Sequence, residues 1–440
     1  MGRDNKMGKK SNTLIVVKFR DEIDLPYTDG VERYIQKDLE TFNFKVETGI
    51  ETLTLKKVFN SLPPDKIKGL TTKAKERNPN VPTPNLLSYF KLECPERVNP
   101  QKLVNHFSRL AIVQTAYIDT PETEPGTVNP SDDSLYINQR YLAASPEGID
   151  AKYAWGFPGG DGAGQSVIDL ERGWTLNHED LLQQQVKLLY GNIRNESRWH
   201  GTAVLGELAA KDNEIGCIGI VPNLKSINVV SYYNVGVDNA ILAAIPYLEP
   251  GNVLILEVQT NNLPIEVKPA VFDAIQLAIQ NGIVVFEAAG NGGVNLDLYK
   301  IDGKNIFNRS SSDFRDSGAI MVGASTGIPP HKRISSSNYG SRIDCYSWGV
   351  HVVTAYSDSQ GATKKYTHNF NRTSSATPIV AGAALAIQGI IEVSHGYRLS
   401  PSEIQNILAD PTFGTASENP PIDRIGVMPN LRTIIDSLLQ

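Results

Sequence analysis

Cysteine is scarce: Cys94, Cys217 and Cys345 are the only three in 440 residues. They form no C-x-x-C pair and no even set, which excludes a thiol-metal cluster of that spacing and a disulfide framework. Three buried free thiols are expected. Long apolar runs are also missing. The longest, Ile379 to Ile387, is about half of the roughly 20 residues that a membrane span needs. Behind Arg3, Lys6, Lys9 and Lys10, the apolar stretch Leu14 to Val17 ends at Lys18, short of the roughly 7 to 15 residues of a leader core. These features predict a cytoplasmic protein without a membrane partner, and leave open export by a route that needs no such leader. Lys6 occupies the position where myristoylation needs Ser or Thr. No basic excess is present either: 42 Lys plus Arg face 48 Asp plus Glu, a net charge of −6, so a nucleic-acid partner is not expected. With 40% hydrophobic and 20% charged residues, the chain is globular and large enough for two or three domains.

What is present divides near residue 125. Thr13 to Phe19 reads as a strand, Val31 to Phe42 as a helix and Phe44 to Val58 as extended chain. Pro63 to Pro84 reads as a polar loop. A second round follows, with a strand over Leu86 to Leu92, a helix from Asn99 to Leu110 and a strand over Ile112 to Ile118. Two βαβ halves predict a small α+β, ferredoxin-like domain over 1–120. Residues 121–135 open with prolines and acids and read as a linker. Beyond it, over 136–440, short apolar strands alternate with helices, predicting an α/β domain of three layers with a mostly parallel sheet. Ligands of such sheets sit at the carboxyl ends of the strands.

Four segments there bear chemistry. The strand Gln165 to Asp169 ends in a carboxylate, which suits a group that orients a histidine and equally suits a turn. His200 opens a helix between Trp199 and Gly201. Thr373-Ser374-Ser375-Ala376-Thr377-Pro378 leads into an Ala-rich helix that can only be buried. A serine at its amino end becomes nucleophilic once a base takes its proton, and His200 could be that base. On chemistry alone Ser375 competes with Ser374. Val284 to Glu287 runs into Ala288-Ala289-Gly290-Asn291, where the Asn291 amide could serve an oxyanion, or Asn291 could adopt a left-handed turn.

These segments resemble the motifs of the subtilisin-like serine proteases, the subtilases. The resemblance lies in His200-Gly-Thr-Ala-Val-Leu-Gly206, in Thr373-Ser374-Ser-Ala-Thr-Pro-x-Val-Ala-Gly382 and in Ala288-Ala-Gly-Asn291. Asn177-His-Glu-Asp-Leu181, Ile215 to Pro222 and Val322-Gly-Ala324 extend it, so that it covers residues 131 to 395. It implies an endopeptidase in which Ser374 is the nucleophile, His200 the base, Asp169 its orienting acid and Asn291 the oxyanion donor. It implies that Glu257, Val258 and Gln259, with Ala288, Ala289 and Gly290, flank an extended protein or peptide substrate. It further implies a chemistry that needs no cofactor, and a structural calcium held by Asp180, Lys211, Asn213, Ile215 and Cys217. The 1–120 domain resembles subtilase propeptides in place and pattern, and so is expected to act as an intramolecular inhibitor. An unrelated binding module is the alternative for it.

The sequence also departs from the family. Arg372 replaces a glycine before Thr373, and Glu257-Val258-Gln259 replaces Ser-Leu-Gly. Glu257, with Glu287, is expected either to favour a basic substrate side chain or to turn into solvent. A catalytically silent peptide-binding pseudoprotease is the rival function. Gly159 to Ser166 lacks the lysine of a phosphate loop, and His178-Glu179 lacks the second histidine of a zinc-protease motif.

Overall fold

The computed structural model describes residues 13–37, 54–77, 79, 82–95, 98–119 and 128–439. The chain forms two compact units, one of residues 1–122 with 395–397 and a larger one of residues 123–394 and 398–440.

The first unit is a four-stranded antiparallel sheet in the order β2-β3-β1-β4, with β1 Leu14–Phe19, β2 Lys56–Lys57, β3 Tyr89–Glu93 and β4 Val113–Asp119. That order is the one of a ferredoxin-like sheet. Its core gathers Ile15, Val17, Phe19, Phe90 and Phe107. Helix α2 (Pro100–Ser108) is capped by Asn99, whose side chain accepts from Gln101 and Lys102 N–H, as the sequence suggests. The expected loop over Pro63 to Pro84 is instead largely a helix, α1 (Pro64–Arg77). It buries only Ile67, so no apolar period marks it. The signals it does carry are Pro64 at its start, Asp65 in the first turn and Lys75 and Arg77 in the last. The helix expected over Val31 to Phe42 begins as a short 3₁₀ turn, Val31–Tyr34; its residues from 38 on, and most of the strand expected from Phe44, lie outside the described residues.

The second unit holds a nine-stranded sheet in the order β16-β17-β13-β12-β11-β8-β5-β7-β6, parallel except for the β16–β17 pair. Its central strands are β5 (Ser166–Glu171), β7 (Ser226–Ser231), β8 (Val253–Leu256), β11 (Val284–Ala288) and β12 (Ile320–Ser325). Outer strands are β6 (Lys187–Tyr190), β13 (Cys345–Trp348), β16 (Gly414–Ala416) and β17 (Val427–Pro429). The order reverses at β5, which lies between β7 and β8. Such a reversal opens a crevice at the carboxyl ends of the strands. Two helices converge there from one face: α3 (Arg198–Ala209) and α6 (Thr373–His395). Helix α6 is the one helix among the described residues long and apolar enough to cross a membrane, but it is the buried core helix of this unit. Residues 128–135, expected as the end of a linker, belong to this unit: Val128 packs on its core, and Asn129 N–H donates to Asp212 at 2.9 Å. The rest of the expected linker, 121–127, lies outside the described residues.

Helix α3 can approach β14 (Val352–Tyr356) because Gly206 carries no side chain. A Cβ there would lie 2.4 Å from Thr354 Oγ1 and 2.8 Å from the Ala355 nitrogen. Thr354 Oγ1 uses this closeness to donate to the Ala203 carbonyl at 2.8 Å. We therefore expect Gly206→Ala to lower stability by roughly 2–4 kcal/mol and to shift α3, and with it His200. Urea unfolding measures the loss; an unchanged midpoint would contradict this packing account.

Candidate active site

Residues from seven segments line one cleft of about 810 Å³, among them Glu171, His200, Glu257, Asn291, Arg372 and Ser374. His200 occupies the first turn of α3, and its Nδ1 is hydrogen-bonded to Glu171 Oε1. Its ring is held edge-on against Phe370, with centroids 5.4 Å apart, and against Trp199 at 5.1 Å. Ser374 is the second residue of α6 and lines the same cleft. Pro378 falls in the second turn of that helix, so the Ser374 carbonyl lacks the backbone donor it would otherwise find four residues on. Ser375, the rival on chemistry alone, is buried, and its hydroxyl donates to the Trp348 and Arg372 carbonyls at 3.0 Å.

The acid differs from the one expected. Asp169 is fully buried, and its Oδ2 accepts from the Trp174 indole N–H at 2.7 Å. Asp169 and Glu171 project from the same face of β5, because strand side chains alternate. Two residues of strand rise carry Glu171 about 7 Å farther toward the strand end, where the first turn of α3 presents His200. The partner of His200 is therefore Glu171, and Asp169 fixes Trp174 beneath it.

Asn291 is tied to the serine segment. Its Oδ1 accepts from Thr373 N–H at 3.1 Å and from Thr373 Oγ1 at 3.0 Å, and its own N–H donates to Gln259 Oε1 at 2.8 Å. With the oxygen so occupied, the amide Nδ2 is the group left to donate into the cleft. Gly290 precedes it at φ 90°, a conformation glycine enters without strain. Arg372 takes up the left-handed region at φ 73°, a strained setting for a side chain. It is exposed and lines the cleft.

The expected substrate strand is only partly open. Gln259 is exposed, but Val258 and Glu257 are buried. Glu257 lines the cleft, and the hydroxyls of Ser374 and Thr377 face its carboxyl. Neither stands in full hydrogen-bonding geometry, so both carboxyl oxygens lack a partner. Glu287 is on the opposite face of the sheet, where Oε1 accepts from Glu266 N–H at 2.9 Å, and has no part in the cleft. Ala288, which lines the cleft, closes β11, and Ala289 is buried with its carbonyl accepting from Asn338 Nδ2 at 2.7 Å.

The expected calcium residues make hydrogen bonds to one another. Asp180 Oδ2 accepts from Cys217 N–H at 3.0 Å and from its Sγ at 3.2 Å, and Asn213 Oδ1 accepts from Ile215 N–H at 3.2 Å within its own loop. The Lys211 N–H donates to the Asp180 carbonyl at 2.8 Å. Beside this loop stand three residues the sequence did not single out: Asp132, Asp133 and Asp212 each place a carboxylate oxygen within 4.8 Å of the others. Asp133 Oδ2 is buried without a partner. Burial, with the charges of Asp212, Asp132 and Asp180, pushes the Asp133 carboxyl up to about 7. An all-oxygen, anionic set with an unsatisfied member fits a hard cation such as calcium.

Beneath the cleft, Glu207 of α3 is fully buried with both oxygens unpartnered, and burial, then the charge of Glu257, raises its pKa well above the usual carboxylate range. A carboxyl whose pKa rises on folding stabilises the folded state below its unfolded value, and that contribution is lost as pH rises toward the folded pKa. Stability should thus decline from about pH 4 upward, and Glu207→Gln should gain on the parent as pH rises. Melting curves over that range test this; parallel pH dependences would contradict it.

Comparison with known proteins places this geometry in a family. The subtilase family model matches residues 179–422, more than half of the chain, beginning past the strand that carries Asp169 and Glu171. Subtilisin DY of Bacillus licheniformis is 29% identical over 253 residues, covering 56% of this chain and 83% of that protein. Subtilisin-like protease 1 of Pseudogymnoascus destructans is 26% identical over 257 residues, covering 58% of each. Among solved structures, the proteases of Pseudoalteromonas arctica align with a TM-score of 0.53 and 20% identity, over 70% of this chain and 99% of that one; at that identity the likeness bears on the fold. The chain belongs to the subtilase family and is a subtilisin-like serine protease.

Proposed function

We propose that the protein is an endopeptidase working through a Ser374-His200-Glu171 triad, a reading carried by the hydrogen bond between His200 Nδ1 and Glu171. Ser374 Oγ attacks the scissile carbonyl carbon while His200 Nε2 takes its proton. Glu171 holds the ring with Nδ1 protonated and stabilises the imidazolium that forms. The carbonyl oxygen gains negative charge, met by Asn291 Nδ2 and the Ser374 backbone N–H. His200 then returns the proton to the leaving amine, and water repeats the sequence on the acyl-enzyme.

The first unit restrains this activity as an intramolecular inhibitor. The reading is supported by its ferredoxin-like sheet, by β4 at the sheet edge, and by the proline-rich stretch 120–130 that follows it. An exposed edge strand is the kind of element that pairs with another chain segment. Asp132, Asp133 and Asp212 would hold a structural calcium; the chemistry itself does not pass through it.

Labelling with a fluorophosphonate probe, followed by intact mass, tests the central reading. Label on the parent and none on Ser374→Ala is expected, with the active fraction cut between the two units. A folded protein, freed of its first unit and still unlabelled, would favour the silent peptide-binding alternative. Glu171→Gln should lower kcat by roughly 10⁴-fold, whereas Asp169→Asn should leave kcat within about tenfold and lower stability instead. The reverse ranking would return the orienting role to Asp169. Removing divalent cations with a chelator should lower the melting temperature by several degrees, and Asp133→Asn should abolish that response; equal responses would place any stabilising cation elsewhere.

A further inference from the structure

The mechanism above leaves Glu257 unused, although it stands beside both the nucleophile and the base. It follows β8, whose parallel register with β5 pairs Leu256 with Leu170, and its N–H donates to the Leu170 carbonyl at 3.3 Å. Neighbours in that register share a sheet face, so Glu257 lies next to Glu171. One donor atom from each of Glu171, His200 and Glu257 lies within 4.8 Å of the other two. The remaining groups that face it are Asp169 from β5, Glu207 from α3, Tyr232 just beyond β7, and the Ser374 and Thr377 hydroxyls from α6. None of these is a cation. Of the two arginines that line the cleft, Arg172 packs on the Tyr232 ring, 5.0 Å from its centroid, and Arg372 is exposed. Glu257 is only 4% exposed, and both of its oxygens are unpartnered.

Two buried carboxylates this close do not both ionise readily. Glu171 must carry its charge to hold the imidazolium, which leaves Glu257 as the one to keep a proton. The reaction reinforces that division. As Ser374 Oγ bonds to the carbonyl carbon and its proton moves to His200, the carbonyl oxygen takes the electron pair and becomes anionic. A charged Glu257 beside Ser374 opposes that build-up. A neutral one does not, and its O–H can donate to Ser374 Oγ.

We propose that Glu257 is a further member of the catalytic centre, a proton-bearing carboxyl beside Ser374 whose neutral form supports acyl transfer and whose ionisation suppresses it. This rests on Ser374 and His200 acting as nucleophile and base. Burial, followed by the charges of Glu171 and Asp169, raises the Glu257 pKa well above the usual carboxylate range, so the suppression falls on the alkaline side. At the same position the family's small Ser-Leu-Gly strand places no carboxyl.

The test is the rate of fluorophosphonate labelling from about pH 6 to about pH 10, on the active form of the parent, Glu257→Gln and Glu257→Ser, with folding checked by circular dichroism. The parent rate should rise on the acid side, then fall at least tenfold on the alkaline side in a one-proton step. In both variants, whatever their absolute rate, the alkaline fall should vanish or move to higher pH while the acid limb stays. The serine variant covers the case in which glutamine is poorly accommodated. A parent rate that stays flat on the alkaline side overturns the proposal without recourse to a variant, as does the same alkaline midpoint in a folded variant. Absence of labelling at every pH is a different result: it removes the triad reading, and this inference with it.

Discussion

The bond between Glu171 and His200 joins the end of a central strand to the first turn of a helix, and much of the second unit is arranged so that it can form. The strand order of a parallel sheet reverses at β5, which opens a crevice where strand ends meet helix starts. Glycine at position 206 lets α3 lie close on β14, and this places His200 over the end of β5. The buried α6 brings Ser374 in from the same face, and Thr373 ties that segment to Asn291 across the cleft. Each contact is ordinary. Their convergence on one imidazole gives the site its chemistry.

The same geometry has a cost. Four acids are buried near His200: Asp169, Glu171, Glu207 and Glu257. Burial raises the pKa values of Asp169, Glu207 and Glu257 well above the usual carboxylate range. The opposite sheet face solves the same problem differently. Arg342, fully buried, is paired with Glu266 at 2.9 Å and Asp344 at 2.8 Å.

Much of this was legible in the sequence. The helix starting at Thr373, the helix carrying His200 and the strand running into Asn291 were marked by small residues, by glycine and by apolar runs, and their place in the fold follows from those patterns. The acid was not, because β5 holds two carboxylates two residues apart, both on the cleft face; which one reaches His200 depends on where the strand stops relative to α3. Glu257 could be seen to replace a small residue, but not to turn inward, since a buried lone carboxyl runs against every expectation from side-chain polarity. Helix α1 was missed because it buries a single residue. The aspartates at 132, 133 and 212 were missed because they meet only once residues 128–135 fold back against the loop that follows α3.

The most direct measurement is the proton NMR spectrum of the histidine Nδ1 proton under conditions that protonate the triad imidazole. A proton shared between an imidazolium and a carboxylate gives a strongly downfield resonance. With Glu171 as the partner, that resonance is present in the parent and in Asp169→Asn and is lost in Glu171→Gln. Its loss in Asp169→Asn together with its survival in Glu171→Gln would contradict the account.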